Sequence, residues 1–179
     1  MKFGPFGGAH RQSEWLPIEI VHGVREVVGP NVDLHIEVHD RFTVTHAIRI
    51  GHMLEELQVM WLEIPLYIRV ILRQLLEVAR AIAPVPVAVD ERYKRMGMFV
   101  DLLAAKVIDI VQPEVSNIKR VSGIAEATEA LVACHTAHSL LGTVVNAHVH
   151  ASIANFLIQE DFDDSNEPRT WIYCPVFRV

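Results

Sequence analysis

Glu37 in "LHIEVHDRF", Glu63 in "WLEIP" and Glu91 in "VDERY" each close a short apolar run, at spacings of 26 and 28 residues, and Glu114 in "QPEV" and Glu160 in "FLIQE" close two more. If these runs are parallel strands, the first three carboxylates leave successive strand ends side by side. Like charges that close repel unless a cation or protons compensate them. A hard divalent cation, Mg²⁺, is the simplest compensator for such a set. Alternation along an extended strand would also place His35, Glu37 and His39 on one face, with Ile36 and Val38 on the other. An imidazole would then stand beside the first carboxylate.

Positioning such a set requires an ordered scaffold, and the sequence supplies the pattern for one. The chain has 179 residues, about half of them apolar, enough for one packed domain. Apolar, β-rich runs ("MKFGPFG", "VDLHIEVH", "VMWLEIP", "VPVAVDERY", "VIDIVQPEV") alternate with helical ones. The helical runs include "WLPIEIVHGVREVVG", with Pro17 in its first turn and Gly29 at its end, "TVTHAIRIGHMLEEL", "IRVILRQLLEVARAIA" and "MGMFVDLLAAK". Strands separated by helices of this length pair in parallel through right-handed crossovers, so the expected fold is an α/β parallel sheet or barrel. In a barrel of this kind the C-terminal strand ends form the active-site face.

The formal net charge of −6 is spread along the chain and no Lys/Arg stripe occurs, which argues against a nucleic-acid partner and for a small-molecule ligand. No apolar run approaches the ~20 residues of a bilayer span, so no membrane partner is expected. Cys134 and Cys174 are the only cysteines and the N-terminal residues carry no long apolar segment, from which a cytoplasmic location is expected.

Taken in order, "KFGPFGGAHR", "IEVHDRF", "WLEIP", "VDERY", "DIVQPEV", "ACH" and "NFLIQE" resemble the barrel domain of the enolase superfamily. The resemblance is closest to its mandelate racemase/muconate lactonising group, and there to the galactonate and mannonate dehydratase-like members that act on sugar acids. It implies a TIM-barrel-like (β/α) domain over residues 1–164, with a strand-like tail at 165–179. It implies Mg²⁺ held by Glu37, Glu63 and Glu91. It also implies a base at His135 that removes the proton α to the carboxylate, oriented by Glu114, and an acid at His39, followed by Arg41 in an "H-x-R", that assists loss of the β-hydroxyl. Glu160 would be the eighth-strand carboxylate that hydrogen-bonds substrate. His138 is the neighbouring candidate for the base if the register differs. The implied reaction is a Mg²⁺-dependent dehydration of a sugar acid: the metal stabilises the enediolate left by proton abstraction, and elimination follows.

Several positions depart from that pattern. Ile64 stands where the family has a second acid, Asp90 where it has glycine, and Glu114 where it has the shorter aspartate. "KFG" lacks the second lysine of the Lys-x-Lys that racemase and cycloisomerase members carry. Only 12 positions separate Gly123 from His135, so the sixth helix is expected to be more than two turns short. His148 and His150 are expected to fill surface or packing roles. The chain is expected to lack the family's capping domain and first barrel strand, which leaves two readings: a dehydratase-like lyase, or a non-catalytic truncated remnant with at most metal or ligand binding. Unpaired sheet edges would favour a homo-oligomer, with the alternating tail "TWIYCPVFRV" adding to a sheet.

Overall fold

The computed structural model describes residues 1–6, 15–63, 65–66, 72–89, 91–93, 95–106, 108–136 and 140–160. Elements alternate throughout: β1 (Lys2–Phe3), α1 (Trp15–Val28), β2 (His35–Glu37), α2 (Val44–Glu55), β3 (Trp61–Glu63), α3 (Leu72–Ala81), β4 (Val87–Val89), α4 (Met96–Ala104), β5 (Ile110–Val111), α5 (Ile118–Ala127), β6 (Leu131–Val132) and α6 (Leu140–His150). The chain divides into two compact units, residues 1–89 with 105–109, and residues 90–104 with 110–179.

In the first unit, β1 to β4 pair in parallel in chain order. Strands β2, β3 and β4 are buried at every position. That is the mark of a parallel sheet covered on both faces, and it explains why these segments read as nearly continuous apolar runs. Residue type marks the end of α1 and the start of α2. Gly29 ends α1 at φ 74° and donates to the Arg25 carbonyl at 3.0 Å, a left-handed cap that suits glycine. Thr43 caps α2, its hydroxyl accepting from the His46 backbone N–H. Arg25 reaches from α1 to bond the carbonyls of Val32 at 2.6 Å and Leu57 at 3.0 Å, tying the loop before β2 to the end of α2. Gly51 of α2 lies so close to Ile82 that a Cβ there would stand 2.7 Å from the Ile82 Cβ.

In the second unit, β5 and β6 pair in parallel, Ile110 with Leu131 and Val111 with Val132. The connecting helix α5 starts at Ile118, five residues before Gly123, and runs 10 residues to Ala127. "FLIQE" forms only an isolated parallel bridge, Phe156 to Val132, rather than a strand. It is held by the Leu157 N–H on the Val132 carbonyl at 2.9 Å and by Asn155, whose amide donates to the carbonyls of Ser122 at 3.2 Å and Ala130 at 2.9 Å. His150 is buried and stacks on Phe156, the packing role expected of it. His138, Ile64, Asp90 and the tail 165–179 lie outside the described residues. No helix among the described residues is long and apolar enough to cross a membrane.

Candidate active site

Parallel register decides which side chains of the first unit meet. Lys2 pairs with His35, His35 with Trp61, and Glu37 with Glu63. In-register partners on adjacent parallel strands share a face about 4.8 Å apart, and residues two apart share it too, so all five side chains fall on one face. His35 and Trp61 stack with ring centroids 3.8 Å apart. One step along, the Glu37 and Glu63 carboxyls stand side by side, both nearly inaccessible to solvent.

Two buried carboxylates at that separation cannot both be ionised without compensation. The structure supplies it from both sides. Lys2 Nζ lies 2.5 Å from Glu63 Oε1 and 3.4 Å from Glu37 Oε2, and Trp61 Nε1 donates to Glu63 Oε2 at 2.9 Å. Burial, then the hydrogen bond with Glu63, pushes the Glu37 carboxyl up to about 9, so near neutral pH it keeps its proton. Burial acts to raise Glu63 too, but the hydrogen bond from Glu37 and the Lys2 ammonium outweigh it and hold that carboxyl below its ordinary range. Burial brings His35 down to about 4, so its ring stays neutral beside them. The set balances as one carboxylate, one carboxylic acid and one ammonium.

Chain direction changes directly after this pair. The expected strand stops at Glu37, and His39 and Asp40 take positive φ of 53° and 61°. His39 therefore does not share the strand face with His35 and Glu37 as alternation required. It turns outward, its side chain 63% exposed, with Nδ1 3.6 Å from Glu37 Oε1 and its backbone N–H donating to the same oxygen at 2.7 Å. Arg41 reaches back to the Phe6 carbonyl at 2.9 Å.

The second unit gathers a different group. His135 Nδ1 lies 2.9 Å from Glu160 Oε2 and 3.6 Å from Glu91 Oε2. Glu160 Oε2 also accepts the Thr136 backbone N–H at 2.8 Å. From α6 the buried Asn146 donates to the His135 carbonyl at 3.2 Å and to the Thr136 hydroxyl at 2.6 Å, holding the end of this segment from behind. The contact with Glu160 at Nδ1 orients the imidazole and biases its tautomer. Cys134, next in chain, is a fully buried thiol whose pKa burial raises to about 12, so it is inert. Glu114 follows β5, where its carbonyl accepts the Asn117 N–H at 2.8 Å and opens the turn into α5.

Of the three expected metal ligands, the structure brings Glu37 and Glu63 together. Glu91 comes three residues after Ala88, the in-register partner of Glu63, and belongs to the second unit, where it contacts His135. Among the described residues no group of three or more acidic, His or Cys side chains is arranged to hold a metal. The donor chemistry of the Glu37–Glu63 pair nonetheless suits a hard divalent cation: two adjacent buried carboxyls are hard oxygen donors, at a place where a positive charge, the Lys2 ammonium, already stands. Sequence reasoning passed over Lys2, Trp61, Thr136 and Asn146. Trp61 was within reach of it, because counting back two from Glu63 places it on the same face; Lys2 joins that face only through the pairing of β1 with His35.

The profile described as "Enolase C-terminal domain-like" matches residues 1–176. The chain belongs to that family. Relatives with assigned activities include a D-gluconate/D-galactonate dehydratase of Picrophilus torridus, 34% identical over 83% of this chain and 39% of that protein, and a D-xylonate dehydratase of Haloferax volcanii, 30% identical over 80% and 36%. Among solved structures, a mandelate racemase/muconate lactonizing enzyme-like protein of Rubrobacter xylanophilus superposes with TM-score 0.81 at 29% identity, over 89% of this chain and 45% of that one. A similarly described protein of a Roseovarius species reaches 0.85 at 28%, over 99% and 48%. The enolase-type α/β fold expected from the motifs is thereby established. The chain spans less than two-fifths of the length of those two dehydratases.

Proposed function

We propose that this chain carries the metal-holding and proton-transfer residues of a Mg²⁺-dependent sugar-acid dehydratase, a carbon–oxygen lyase that removes water from an acid sugar. The observation that carries the reading is the in-register, buried Glu37–Glu63 pair, considered together with relatives that are dehydratases of D-gluconate, D-galactonate and D-xylonate. Glu37 and Glu63 would hold the cation, with Glu91 as third donor. The cation, when bound, supplies positive charge beside the carboxylate of the acid.

The remaining steps belong to side chains. His135, its Nδ1 held by Glu160, takes the α-proton on its ring, and Glu160 orients the imidazole for that transfer. Glu114, which follows β5, would be a second carboxylate orienting the same imidazole. His39, outside the buried pair and open to solvent, gives a proton to the departing β-hydroxyl, and Arg41 stiffens the loop that carries it. The reading extends to a soluble, cytoplasmic homo-oligomer.

The test is turnover by this chain, with Mg²⁺, of D-gluconate, D-galactonate and D-xylonate in D₂O. His135→Asn should abolish exchange of the α-proton, whereas His39→Asn should spare exchange and stop loss of the hydroxyl. If wild-type chain catalyses neither exchange nor dehydration on any aldonic acid, the second reading replaces this one: a family member that binds metal or ligand without turnover.

A further inference from the structure

Lys2 has no part in the proposed reaction. It sits on β1 in register with His35, and its ammonium reaches past the His35–Trp61 stack to both buried carboxyls, 2.5 Å from Glu63 Oε1 and 3.4 Å from Glu37 Oε2. Those are the oxygens that a divalent cation held by Glu37 and Glu63 would need. An ammonium and a hard divalent cation cannot share them, because two positive centres that close repel strongly in a poorly solvated site. The lysine stem is long and flexible, and its side chain retains 22% exposure, so the head has a way out toward water.

We propose that Lys2 is a built-in competitor of the metal, a tethered cation that occupies the Glu37–Glu63 pair and must swing away before a divalent ion can bind. This rests on the proposed metal reading and adds to it a residue that sets the ion affinity from within the chain. The consequence is an affinity weaker than the buried carboxylates alone would give, since loading the ion means breaking two charge-assisted contacts.

The experiment is calorimetric titration of the chain with Mg²⁺, in wild type, Lys2→Met, Lys2→Arg and Glu63→Gln. Emission of Trp61, whose indole N–H bonds Glu63, serves as a second signal, with Trp61→Phe identifying its share among the three tryptophans. Lys2→Met should bind Mg²⁺ at least tenfold more tightly than wild type, Lys2→Arg should stay within about threefold of wild type, and Glu63→Gln should lose binding. Lys2→Gln repeats the charge removal should the Met variant fold poorly. Equal or weaker binding by both neutral variants, beside a wild type that does bind, overturns the competitor role and leaves the metal reading intact. Absence of binding in wild type and neutral variants alike, or wild-type affinity in Glu63→Gln, overturns both together.

Discussion

Raising the pH from 7 to 8.5 should destabilise the first unit through a single group, Glu37. Its carboxyl is pushed up to about 9 in the fold by burial and the bond to Glu63, against an ordinary value of 4.5 in the unfolded chain. Between those values the folded chain holds a proton that the unfolded chain has released. Its contribution is therefore complete below 4.5 and lost as pH climbs toward 9. The neighbouring groups do not obscure the window. Glu63, held low, contributes fully above 4.5; His35, brought to about 4, and His150, lowered by burial, lose their contribution only as pH falls below 6.5; Cys134, raised to about 12, begins to matter above 9. One proton of difference changes stability by about 1.4 kcal/mol per pH unit, so 1.5 units correspond to a loss of about 2 kcal/mol. Urea unfolding followed by circular dichroism in EDTA at pH 7, 7.5, 8 and 8.5 measures it. Glu37→Gln, which donates a hydrogen bond without titrating, should flatten the dependence to a few tenths of a kcal/mol. Parallel slopes for the two proteins would refute the shared-proton description of the pair.

Packing and loop contacts give two further expectations. Gly51→Ala places a Cβ against Ile82 between α2 and α3; an overpacking cost of ~1–3 kcal/mol exceeds the ~1 kcal/mol that alanine gains in a helix, so the melting temperature should fall by a few degrees. Asn155→Ala removes the amide that bonds the Ser122 and Ala130 carbonyls and should cost ~1–3 kcal/mol in denaturant unfolding, whereas Asn155→Asp, which keeps size but not the donor, should fare no better.

How legible was this in the sequence? The alternation of strands and helices was plain, because parallel strands buried on both faces leave unbroken apolar runs, and Gly29 and Thr43 marked ends by residue type alone. Glu37 and Glu63 were legible for the same reason: each closes such a run, and parallel pairing set them in register. The limits were conformational and three-dimensional. No period-2 count reveals that the strand stops at Glu37, since that depends on two backbone angles turning positive. Nor does spacing reveal that α5 begins before Gly123, or that Lys2 crosses from β1 to compensate two acids far away in sequence. Spacing likewise does not reveal that Glu160 stands on His135, since a hydrogen bond between residues 25 apart leaves no periodic trace.

The turn at His39 and Asp40 also bears on how this position should vary across evolution. Positive φ is readily reached by glycine, and among other residues it favours asparagine, aspartate and histidine, while β-branched side chains are excluded. Selection on backbone shape alone would thus confine positions 39 and 40 to a short alphabet that already contains His and Asp. Persistence of an imidazole at 39 over deep divergence carries less information about acid catalysis than persistence at His135 does, and the telling pattern is which relatives exchange it for asparagine or glycine while keeping the fold.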